Sequence, residues 1–145
     1  MNSIISATTG ATCGTVPRVT QYEVFLDSAR ELLADAQLRI ARGEYDLAIE
    51  SAYRAALRTA GAAIAESAAV AKRKRLPTSA WDKLRITGAR GEVWADVFSG
   101  YSALRGRVAS GIELRPNPVK ATALVADAAD FYAEVTGVGD GMAAA

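Results

Sequence analysis

Apolar positions recur at three- and four-residue spacing along most of the chain, the pattern of helices that each bury one face. The longest such run is EYDLAIESAYRAALRTAGAAIAESAAVA at 44–71, with no Pro and a single internal Gly. It predicts a central helix whose stripe is Tyr45, Ile49, Ala52, Tyr53, Ala56, Ala60, Ala63 and Ile64. That stripe is mostly alanine, and small side chains let a second helix approach closely. On its flank Glu50, Arg54 and Arg58 follow one another a turn apart, in the order that favours a Glu50–Arg54 ion pair.

The remaining segments predict helices that pack onto this one. Thr20 with Glu23 forms a capping box for a first helix. Tyr22, Phe25, Leu26, Ala29, Leu32, Leu33, Ala36 and Ile40 make its apolar face, and Gly43 stops it. A short loop makes the first two helices antiparallel neighbours. Pro77 ends the central run after Lys72–Arg75, and Thr78 or Ser79 caps a short crossover helix that buries Trp81 and Leu84. Val93, Trp94, Val97, Phe98, Tyr101, Leu104 and Val108 define one long fourth helix, whose bulky rings suit the alanine stripe. Gly100 and Gly106 inside it predict close backbone approaches. Asn117–Pro118 opens a fifth helix that runs to Thr136. The expected architecture is all-α, an antiparallel bundle of about five helices in two α-hairpins joined by a short crossover, over residues 19–136. Residues 1–18 and 137–145 are polar or small and without periodicity, and are expected to be flexible tails.

Composition adds limits. The 145 residues suit one domain, and aromatics at 7% favour close-packed helices over a sheet. A net charge of +1 excludes a protein that wraps nucleic acid over its whole surface, so any anion site is local. The single cysteine, Cys13, excludes an intrachain disulfide, and no long uncharged apolar run appears, so a cytoplasmic protein without membrane contact is expected.

The chain contains no histidine, which removes Ser-His, Cys-His and imidazole–zinc chemistry together. GARGE at 88–92 lacks the preceding strand of a phosphate loop. Glu23, Asp27 and Glu31 share a helical face that would hold a metal only if other carboxylates met it, and as a polar face opposite an apolar stripe it is read as solvated. No metal and no cofactor are expected. The run KRKR at 72–75 is read as a complement to a helix C-terminus. Four arginines remain as candidates for an RNA or nucleotide: Arg54 and Arg58, which otherwise serve the ion pair with Glu50, and Arg105 and Arg107, which otherwise complement a helix end.

GEYDLAIESAYRAALRTAGAAIAE, LPTSAWDKL and EVWADVFSGYSALRGRVASG together resemble an actinobacterial-type HEPN domain over about residues 20–136. The resemblance implies antiparallel helical hairpins, a homodimer, and a metal-independent endoribonuclease or an RNA or nucleotide binder in a toxin–antitoxin or stress system. Its catalytic pattern places a histidine after an arginine with four to six residues between them. After Arg105 those positions hold Ser110, Gly111 and Ile112, and after Arg107 they hold Ile112, Glu113 and Leu114, so the resemblance implies a non-catalytic member. GEYDLAIESAYRAAL is also similar to the start of a tetratricopeptide helix pair, which would imply a protein-interaction scaffold instead. Such units need stacked neighbours, and no second copy is present.

Overall fold

The computed structural model describes residues 18–137, and every regular element among them is helical. Helix α1 (Gln21–Ala41) starts on the expected reciprocal box: the Glu23 N–H donates to the Thr20 hydroxyl at 3.1 Å, and the Thr20 N–H donates to the Glu23 carboxylate at 2.8 Å. Gly43, at φ +73°, turns the chain through the left-handed region into α2 (Tyr45–Ala65), which returns antiparallel to α1.

Helix α2 is the axis of the bundle. Ala48, Ala52, Ala55, Ala56, Ala60 and Ala62 are fully buried, so burial extends well around the helix and beyond the predicted stripe. Its near neighbours along the length are α1 and α7 (Pro118–Thr136), with shorter contacts from the crossover and the sixth helix. The helix carrying Trp94 does not lie against the alanine stripe as expected. It packs its backbone on the crossover helix and contributes rings to the shared core.

The central helix also ends earlier than the pattern predicts. After Ala65 the Ser67 hydroxyl accepts the Val70 N–H at 3.2 Å and starts a separate single turn, α3 (Ala68–Ala71). Here a side-chain oxygen competes with the helical backbone for its own amides. Lys72–Arg75 follow, all exposed. Ser79, rather than Thr78, caps α4 (Ala80–Ile86), which buries Trp81 and Leu84 as expected.

The predicted fourth helix is two: α5 (Ala89–Ser99) and α6 (Ser102–Ala109), broken at Gly100–Tyr101. A side chain at Gly100 would press on the Val97 carbonyl at 3.2 Å, whereas Gly106 faces open space, so the close approach expected there is absent. Val93, assigned to the apolar face, is exposed. Gly91 has the tighter constraint, because a Cβ there would collide with the Leu84 carbonyl oxygen and the Thr87 hydroxyl. Its role is to let α4 and α5 meet. Asn117 caps α7 by accepting the Val119 N–H at 2.8 Å, and Gly137 ends it in the left-handed region. The two tails assigned at 1–18 and 137–145 lie, apart from Arg18 and Gly137, outside the described residues.

The core contains a ladder of rings. Tyr53 meets Trp81 edge-on at 5.7 Å, Trp81 stacks on Phe98 at 5.3 Å, and Phe98 stacks on Trp94 at 5.8 Å. Phe131 of α7 closes against both Phe98 and Trp94 at 5.4 and 5.2 Å. The ladder's polar atoms are satisfied: the Trp81 Nε1–H donates to the Tyr53 hydroxyl at 2.8 Å. No helix among the described residues is long and apolar enough to cross a membrane.

Candidate anion-binding groove

Three of the four candidate arginines come together beside the first rung of this ladder. Arg105 of α6 crosses to α2, where its Nε and Nη2 each donate to one Glu50 carboxylate oxygen at 2.9 Å. Its guanidinium carbon lies 5.2 Å from the centre of the Tyr53 ring. A fork of two parallel bonds over an aromatic face fixes the orientation of a planar cation. The hydrogen bonds from Arg105 hold the Glu50 carboxyl below the usual glutamate range against the opposing effect of burial, with a smaller contribution from the charge of Arg54.

Glu50 is therefore paired with Arg105, whereas its spacing on the helix predicts a pair with Arg54 that does not form. A long-range fork with two good bonds wins over a single-turn pair on an exposed face. Arg54 and Arg58 are left exposed, with no carboxylate in salt-bridge range among the described residues. Together with Arg105, Phe25 and Leu57 they line a groove of about 260 Å³.

Arg107 does not join them. Two positions on from Arg105, it points to another side of α6, where its Nε donates to Glu113 at 2.9 Å and it borders a separate cavity with Tyr101 and Lys120. The positions that would follow either arginine in a ribonuclease pattern offer no base. The Ser110 hydroxyl donates to the Arg107 carbonyl, and Glu113 is held by Arg107 itself. Tyr101 is unsuited to proton transfer near neutrality, since burial and its bond to Asp127 push it up to about 12. Glu23, Asp27 and Glu31 are all exposed, and no cluster of three or more acidic or cysteine side chains that could hold a metal ion occurs among the described residues.

Phe25 and Leu57 were not singled out as groove walls by the sequence reading. Leu57 carried a usable signal, an apolar residue set between two arginines and off the alanine stripe. Phe25 carried none, because its place beside Arg58 depends on how α1 and α2 register.

A second arginine constellation sits at the far end of the ladder. Arg90 donates to Glu134 through Nε at 3.1 Å and Nη2 at 2.7 Å, its guanidinium carbon lies 6.0 Å from the Trp94 ring, and Trp94 Nε1–H donates to the same carboxylate at 3.0 Å.

Among known proteins, no curated protein and no solved structure matches the chain. The family model for SAV_6107-like HEPN matches residues 44–136, which takes in α2 through α7 and leaves α1 outside. With more than half of its length matched in this way, the chain belongs to the SAV_6107-like HEPN family.

Proposed function

We propose that this HEPN module is a non-catalytic binder of a phosphate-bearing ligand, RNA or nucleotide, held by Arg54, Arg58 and Arg105. The observation that carries the reading is the convergence of three guanidinium groups on one groove, two of them without a carboxylate partner among the described residues. Unpaired arginines one turn apart suit phosphate oxygens, which accept several N–H donors at once. The groups at hand support a reading without catalysis. The chain has no imidazole, and Glu50, the carboxylate at the groove, is held ionised by Arg105 and makes a weak base. Arg107 takes no part in this site.

In this reading the protein is a cytoplasmic homodimer in a toxin–antitoxin or stress system. Ile112, Leu114 and Val119, each about three-quarters exposed, give self-association an apolar surface. The same residues favour the second reading, a scaffold that binds another protein and no nucleic acid.

Titration of labelled RNA and of nucleotides at two ionic strengths tests the proposal. Binding that weakens with salt, and falls at least about tenfold in the Arg54→Ala, Arg58→Ala double variant, supports it. No binding at low salt, or binding that the double variant leaves unchanged, overturns it in favour of the scaffold. Sedimentation equilibrium tests the dimer, which a monomer at micromolar concentration would rule out.

A further inference from the structure

We infer that the end of the bundle where α2 stops is a docking site for a protein segment that carries a run of carboxylates beside a large aliphatic side chain. Two neighbouring features that the function above does not use carry the inference, a tetrad of unpaired cations and an apolar slot. Lys72, Arg73, Lys74 and Arg75 are all exposed, and none has a carboxylate in salt-bridge range among the described residues. As a complement to a helix C-terminus they have little to act on: the central helix ends at Ala65, and α3 before them is a turn of 4 residues. Such an effect fades within the last turn, so it reaches Lys72, which caps α3, and not the other three. Glu66 is the one carboxylate on the same loop, and Asp82 of α4 is already paired with Arg85 at 3.6 Å.

The slot is a cavity of about 320 Å³ walled by Phe25, Leu57, Ile64, Ala65 and Ala80, with Lys83 also in its lining. The chain leaves this slot at Ala65 and returns to it at Thr78, so both ends of the loop that holds the tetrad stand on the rim. Arg75 comes three residues before Thr78, which keeps its Cα within about 11 Å of that rim. A segment that seats one side chain in the slot therefore brings its neighbouring residues within reach of the tetrad.

Aliphatic walls beside a row of cations select the class of partner. A leucine or isoleucine side chain fills such a slot as a buried anchor, and complementary charges around it fix register and speed association. A nucleic-acid strand has no aliphatic group to offer. The slot holds a single ring, Phe25, and residues 66–79 hold none, which leaves successive bases without a platform. A flat bilayer would meet the tetrad and not the concave slot. A polypeptide with acidic and aliphatic residues side by side satisfies both features at once.

The test is fluorescence anisotropy of the full chain with a labelled peptide in which a run of glutamates is flanked on each side by leucine, so that either chain direction can place an anchor. It should bind, weaken with added salt, and lose at least about tenfold in affinity when the leucines become serines, the worth of one buried aliphatic side chain. Lys72→Gln, Arg73→Gln, Lys74→Gln and Arg75→Gln together should also cost at least about tenfold, since several exposed pairs worth a few-fold each are lost. Ala65 is exposed at the slot, so Ala65→Trp fills it from outside the core and should remove the preference for leucine while leaving the serine peptide's affinity as it was. Thermal melts check that both variants fold. No binding of the leucine peptide at low salt, equal binding of the leucine and serine peptides, or no effect of either variant each overturns the inference. Oligouridine or phosphatidylserine vesicles that bind through the tetrad more tightly than the peptide overturn it in favour of a nucleic acid or a membrane.

Discussion

The two ends of the aromatic ladder are built alike and serve different ends. At one, Arg105 forks onto Glu50 over Tyr53; at the other, Arg90 forks onto Glu134 over Trp94. Both carboxyls are held below the ordinary glutamate range by their arginine, and both arginines lie over an aromatic face. The difference lies in what surrounds them. Beside Arg105 stand two further arginines and a groove, whereas at Glu134 the indole N–H of Trp94 takes up the same carboxylate and the cluster is complete in itself. An arginine–carboxylate pair over a ring is thus a fastening, and the proposed binding rests on the spare cations placed next to one of the two pairs.

The largest effect should come from removing the rung that joins the two ends. Phe98 is fully buried and touches Trp81, Trp94 and Phe131, so Phe98→Ala should destabilise the fold by about 3–5 kcal/mol in urea unfolding and loosen both clusters. Survival of either cluster's protection in such a variant would show that the ends are fastened independently. Next comes Gly91→Ala, in which the new methyl group must push α4 and α5 apart; a loss of about 2 kcal/mol or more is expected by the same measurement.

The comparison itself is tested by binding. Arg54→Ala with Arg58→Ala should weaken a nucleotide or RNA at least about tenfold, while Arg90→Ala should leave the affinity unchanged. An equal loss in Arg90→Ala would erase the distinction between fastening and site.

The smallest effect is electrostatic. Glu50→Gln should cost up to about 1 kcal/mol, because the pair is partly solvated. The folded-state pKa values of Glu50 and Glu134 are depressed, so the stability that their ionised forms contribute is present above the unfolded glutamate value of about 4.3 and is lost as pH falls through the lower folded values. Thermal melts between neutral and strongly acidic pH should show a shallower acid loss in Glu50→Gln and in Glu134→Gln than in the parent chain.

Much of the fold is written locally. The Thr20–Glu23 box, the Gly43 turn, the Ser67 and Ser79 hydroxyls and the Asn117–Pro118 start all act within four residues, and apolar spacing identifies the buried faces. Of these, Ser67 is the one hidden in the sequence, because the alanines around it favour continued helix strongly enough to mask a competing cap. What periodicity leaves undetermined is which face meets which. The rings of α5 match the alanine stripe in size, but α7, which carries its own alanines, is the helix that lies along α2, and the rings are gathered beside it with Trp81. The site shows the same division. Arg54 and Arg58 were legible as a pair on one helix, while the choice of Glu50 for Arg105, and the parting of Arg105 from Arg107, depend on where α6 begins after its break at Gly100.

The ladder also makes the molecule its own optical probe. The chain has only two tryptophans, and each stacks directly on Phe98. Trp81 leads through its hydrogen bond to the Tyr53 ring beneath Arg105, so emission from that indole should register an occupant arriving among the arginines without any attached dye.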